Sequence, residues 1–86
     1  MLKIDFTPDA LKDISSLDKS ISHRVVEKLD WLIKNFDSVT PEMLSGEYRG
    51  KYKLRVGDWR IVYSIEYEKE TITIYTIEHR SKVYKT

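Results

Sequence analysis

The 86-residue chain has no cysteine, which excludes disulfides and thiolate-held metals. Proline occurs twice and glycine three times, too sparsely for a linker-rich or low-complexity chain. Its two histidines, His23 and His79, lie far apart in sequence and lack metal-ligand spacing. No Gly-rich phosphate loop, nucleophile elbow or carboxylate pair stands out. Asp9, Asp13 and Asp18 read as helix-end charges. No metal and no cofactor are therefore expected. No apolar run approaches the length of a membrane span, and Met1–Phe6 lacks the apolar stretch of a signal peptide. The expectation is a cytoplasmic protein without a membrane partner.

Hydrophobic residues make up 41% of the chain and charged residues 34%. That balance supports one small globular domain over residues 1–86, with a thin core. The net charge of +1 hides an asymmetry. Residues 1–47 hold six Lys/Arg against nine Asp/Glu, whereas residues 48–86 hold nine against five. The second half is thus suited to an anionic partner, or simply has a solvated basic surface.

Leu2–Phe6 alternates apolar and polar residues, as a strand with one buried face does. Thr7-Pro8 then signals a helix start, with Thr7 as cap and Asp9 in the first turn. Ala10, Leu11, Ile14 and Leu17 form one apolar stripe. Ile21, Val25, Leu29, Leu32 and Phe36 form another, widened by Val26 and Ile33. These stripes predict a helical hairpin over 8–17 and 19–36, the second helix capped by Asp18. Trp31 falls off the stripe, beside Arg24. After a connection over 37–50 come three strands, 51–56, 59–67 and 71–78. Gly57-Asp58 makes the first turn between them, and Glu68–Glu70 makes the second. The expected fold class is α+β: a β-α-α-β-β-β domain, with an antiparallel sheet and the helical hairpin on one face.

In the first meander strand Lys51, Lys53 and Arg55 alternate with Tyr52, Leu54 and Val56. Period two puts three cations on one face, where like charges repel. Arg60 can join them from the next strand, because Ile61, Tyr63 and Ile65 point the other way. Arg80, Lys82 and Lys85 add charge near the end. Eight of the fifteen Lys/Arg lie within 49–60 and 80–85, and Asp58 is the one acidic residue there. Lysine and arginine suit phosphate oxygens, and tyrosine offers a stacking face and a hydroxyl. Spacing alone leaves open a contact patch without catalysis, or an edge strand protected by lysines. Tyr48 and Trp59 read as packing residues.

Residues 52–63, with "KLR", a short turn, an aromatic residue and "RIVY", resemble the central hairpin of the RelE/ParE toxins. The ending Glu78-His79-Arg80-Ser81-Lys82-Val83-Tyr84 resembles that family's closing "HR..VY". The N-terminal half matches in kind, so the resemblance spans essentially the whole chain. It points to the RelE side. It implies a ribosome-dependent endoribonuclease that cuts mRNA without a metal and inhibits translation. It also implies a cognate antitoxin, with a monomeric toxin inside a hetero-oligomer. By position the resemblance assigns catalysis to Lys51, Lys53, Arg60, Arg80 and Tyr84. His79 is added as a substitute proton donor, and Arg49, Arg55, Lys82 and Lys85 as RNA contacts. Glu78 stands where some members carry another arginine. That departure keeps in view a degenerate relative that binds nucleic acid or antitoxin; a ParE-like gyrase poison without nuclease activity is a separate alternative.

Overall fold

The computed structural model describes residues 2–83, with side chains through Ser81. Strand β1 spans Lys3–Phe6, followed by helices α1 (Pro8–Ser15) and α2 (Lys19–Lys34). Strand β2 is Glu42–Met43, β3 Tyr52–Val56, β4 Trp59–Glu66 and β5 Thr71–His79. A short helix, α3, covers Arg80–Val83.

The order of elements is the expected one, but the sheet is mixed rather than antiparallel. Its strands run β1-β5-β4-β3-β2, and β1 lies parallel to β5, with Lys3 opposite Thr71 and Phe6 opposite Ile74. The two helices connect β1 back to the meander and allow this parallel return. The fifth strand, β2, falls inside the expected connection and pairs Glu42 with Lys53.

Thr7 caps α1 as expected. Its hydroxyl accepts from the Ala10 amide and donates to the Tyr75 carbonyl, both at 3.2 Å. Asp18 occupies the N-cap position of α2, but its side chain makes no capping bond. Val25, Leu29 and Leu32 are buried with Ala10 against Val56, Ile61, Tyr63, Ile72, Ile74 and Ile77. All of the helix burial falls on one face of the sheet, which leaves the other face of β3, β4 and β5 for other work.

The β3–β4 turn is the tight one read from Gly57-Asp58. Gly57 has φ +58° and Asp58 an ordinary negative φ, the pattern of a two-residue hairpin whose first position favours glycine. The guanidinium of Arg24 packs on this turn, and a Cβ on Gly57 would lie 2.8 Å from its Nη2. Trp31 carries Lys28 over its ring at 4.0 Å.

Strand β5 contains the feature that governs the open face. Tyr63 pairs with Ile74 and Val62 with Thr76, so Tyr75 is an extra residue, a β-bulge. A bulge shifts the side-chain alternation by one. Ile72, Ile74 and Ile77 therefore all enter the core, while Tyr75, Thr76 and Glu78 face outward. His79 is turned to the helix side, where its ring stands edge-on to Trp59 at 5.1 Å.

Candidate functional site

On the open face, Arg55 pairs with Arg60 across β3 and β4, and Arg60 pairs with Glu78 across β4 and β5. Lys53, Arg55, Arg60 and Arg80 line one cleft of about 380 Å³, together with Glu42 and Asp58. Three of the cations are engaged by carboxylates. Lys53 Nζ lies 3.0 Å from Glu42, Arg60 Nη2 lies 3.2 Å from Glu78 Oε2, and Arg80 Nη1 lies 3.7 Å from Asp58. The Arg60 side chain is 18% exposed and that of Glu78 26%. Arg80 is further fixed through its backbone, whose N–H donates to the Asp58 carbonyl at 2.7 Å. Arg55 is exposed.

Two tyrosines that sequence reasoning did not assign to the site belong to it. Tyr48 lies under the Arg60 guanidinium, 5.4 Å from it, and its hydroxyl reaches Glu78 Oε1 at 3.5 Å. Burial above all, then the negative charges of Glu78 and Glu47, push the Tyr48 phenol above its usual range, with Arg60 opposing. The phenol therefore stays an O–H donor. Tyr75, the bulge residue, receives Lys51 Nζ over its ring at 4.7 Å and the Ser64 hydroxyl on its own at 3.2 Å. The gap of three between Ile74 and Ile77, inside a run of alternating isoleucines, is the sequence signal that would have revealed the bulge and with it Tyr75.

Of the residues expected in the site, Lys51, Lys53, Arg55 and Arg60 share the open face, and Arg80 stands at its rim. Arg49 lies in the connection, exposed. His79 is not brought to the cations. Its Nδ1 accepts from the Ser81 amide at 3.2 Å and sits 2.9 Å from the Ser81 hydroxyl, on the helix side of the sheet. Tyr84 and Lys85 lie outside the described residues, as does the Lys82 side chain. Among the described residues, no group of three or more His, Asp or Glu could hold a metal ion, and no helix is long and apolar enough to cross a membrane.

The arrangement offers an anionic ligand a floor of cations flanked by aromatic rings. Residues 4–84 match the family of the ParE toxin of type II toxin-antitoxin systems, parDE. A RelE-like toxin protein of Escherichia coli is 33% identical over 89 aligned positions, which cover 95% of this chain and 88% of that protein. Toxin RelG of Mycobacterium tuberculosis is 28% identical over 82, covering 95% and 94%. Among solved structures, the RelBE2 toxin–antitoxin complex of Mycobacterium tuberculosis matches with a TM-score of 0.81 at 28% identity, covering 93% of this chain and 92% of that one. The isolated RelE toxin of Escherichia coli shares the fold, with a TM-score of 0.77 at 22% identity and coverage of 98% and 92%.

Proposed function

The chain belongs to the RelE/ParE superfamily of toxins from type II toxin–antitoxin systems, and on that premise we propose that it is an endoribonuclease that cuts mRNA on the ribosome. The observation that carries this reading is the convergence of Lys53, Arg55 and Arg60 on one cleft of the open sheet face. In this reading the 2′-hydroxyl of the RNA attacks the adjacent phosphorus, leaving a 2′,3′-cyclic phosphate and a 5′-hydroxyl. Charge gathers on the phosphate oxygens, and preorganised cations act most strongly on charge that develops. Arg60 and Arg55 lie across from each other and can share one phosphate, with Lys53 beside them and Arg80 at the rim. Lys51 and the rings of Tyr75 and Tyr48 hold the flanking nucleotides by charge and stacking. Because these groups supply the charge stabilisation, the reaction needs no metal. His79, on the far side of the sheet, takes no part in proton transfer. Tyr84 completes the set from the closing segment, with Lys82, Lys85 and Arg49 as outer RNA contacts.

So small a surface holds an RNA strand poorly by itself. The ribosome supplies the missing positioning, a large term in catalysis, which places the protein in the cytoplasm. Related structures include toxin–antitoxin complexes, and a cognate antitoxin that covers this chain's basic face is the corresponding partner here.

One observation favours a second reading. Glu78 engages Arg60, which leaves the cationic cluster less free than a phosphate site would have it. That suits a gyrase poison without nuclease chemistry. Primer extension on mRNA in a translating extract separates the two. Discrete cuts within codons that appear only with the protein support cleavage, whereas intact mRNA together with gyrase-dependent DNA breaks supports the second reading.

A further inference from the structure

Glu78 places a carboxylate at the end of the row Arg55–Arg60–Glu78, on the face that also carries Lys51 and Lys53. Its contacts hold the carboxylate without closing it off. Arg60 reaches it through one nitrogen, at 3.2 Å, longer than the about 2.7–2.9 Å of a strong charge-assisted bond. The buried Arg60 Nε finds no hydrogen-bond partner among the described residues, so the pair is not the two-bonded fork that arginine makes with a carboxylate in a closed salt bridge. The Tyr48 hydroxyl approaches the other oxygen at 3.5 Å. A carboxylate has about four acceptor positions, and with 26% of its side chain exposed, Glu78 keeps acceptor capacity toward solvent. The neighbouring lysines are occupied differently. Lys53 donates to Glu42 and Lys51 sits as a cation on Tyr75, and an ammonium has no lone pair with which to take a proton.

We propose that Glu78 is the general base of RNA cleavage, accepting the proton of the 2′-hydroxyl while the adjacent phosphate rests on Arg60 and Arg55. The proposal rests on the RNA-cleaving reading above. Directly opposite residues on neighbouring strands stand about 4.5–5.5 Å apart at Cβ. A phosphate on Arg60 therefore brings the ribose beside it within reach of Glu78. In the step itself, the 2′-oxygen forms its bond to phosphorus as its proton passes to a Glu78 oxygen. The bond from phosphorus to the 5′-oxygen breaks, and the leaving oxygen takes a proton from water. Glu78 then returns its proton to the hydroxide so formed. Arg60 serves twice, neutralising the phosphate and aiming the carboxylate, and Tyr48 steadies the other carboxylate oxygen.

The test compares the parent with Glu78→Gln and Glu78→Asp. Cleavage rates come from primer extension in translating extract across a range of pH, affinity from fluorescence anisotropy with a 2′-O-methyl RNA oligonucleotide, and folding from circular dichroism. Glu78→Gln is expected to slow cleavage by about 10²–10⁴-fold and to bind the oligonucleotide as tightly as the parent or more tightly, since a negative charge has gone. The acidic limb of the parent's pH profile should vanish in this variant. Glu78→Asp keeps a shortened carboxylate and should fall between the two with the acidic limb retained; it decides the matter if the Gln variant does not fold. If Glu78→Gln cuts as fast as the parent or faster, Glu78 merely neutralises Arg60, and the inference falls while the RNA-cleaving reading stands. If the parent cuts no mRNA, both fall together.

Discussion

Asp13 sits in the last turn of α1, yet its Oδ2 accepts a hydrogen bond from the Ile77 amide of β5 at 3.0 Å. Strand β1 has ended opposite Ile74, so no strand partner remains on that edge for the Ile77 N–H. Replacing Asp13 by alanine removes a hydrogen bond to a charged group, worth about 1.5–3 kcal/mol, and leaves an amide short of a partner. One effect opposes this. A negative charge near a helix C-terminus is unfavourable by about 0.3–1 kcal/mol, and the substitution relieves it. The hydrogen bond wins, with a net loss of about 1–2 kcal/mol that lowers the melting temperature by roughly 10 °C in a domain of this size. Asp13→Asn keeps an acceptor oxygen and should lose less than the alanine variant. Urea denaturation reads the stability, and amide exchange at Ile77 reads the bond itself. An Ile77 amide as protected in Asp13→Ala as in the parent would refute the reasoning, whatever the stability.

Lys53→Ala and Arg60→Ala should keep the circular dichroism of the parent and lose growth arrest; full arrest by both folded variants would remove these residues from the site. Tyr63 is 1% exposed, and burial first, then the neighbouring Tyr52 and Tyr67, push its phenol up to about 12. A folded-state value above the unfolded one gives stability that is complete below about pH 10 and lost as pH rises through about 12, about 3 kcal/mol in all. Tyr63→Phe should show an alkaline loss in urea denaturation smaller by that amount, and identical curves would contradict it. Gly57→Ala forces a side chain into positive φ, at a cost of about 1–2 kcal/mol. Part of the contact with Arg24 can relax, because the atom it meets is the end of a flexible side chain. An unchanged urea midpoint would show that the turn adapts freely.

The order of elements was legible because each carries its own period: alternation in Leu2–Phe6 and Tyr52–Val56, and helical spacing from Ile21 to Phe36. The placement of Lys53, Arg55 and Arg60 on one face followed from the same alternation and from a two-residue turn. What local pattern does not carry is partnership. Nothing in Lys3–Phe6 says that it will pair with Thr71–Ile74, or that it will run parallel to it. Two residues, Glu42 and Met43, are too few to announce a strand. The costliest omission was one extra residue at Tyr75. Without it, strict alternation from Ile74 would send His79 outward and Glu78 inward. The bulge exchanges them, so the histidine meets Trp59 and the carboxylate meets Arg60. Tyr48 reads from the sequence as a packing residue, because its connection has no periodicity from which to read a direction.

The parallel pairing of β1 with β5 also orders events in time. The β3–β4 and β4–β5 ladders join segments only a few residues apart, and hairpins of this kind close early. The open face is carried almost entirely by those ladders. β1, by contrast, meets β5 across 68 residues, from Lys3 to Thr71, and contacts of long sequence separation form slowly because the chain must surrender its freedom before they reward it. Until β1 docks, the β1 side of β5 is an unpaired edge. Such an edge is open to pairing with another chain.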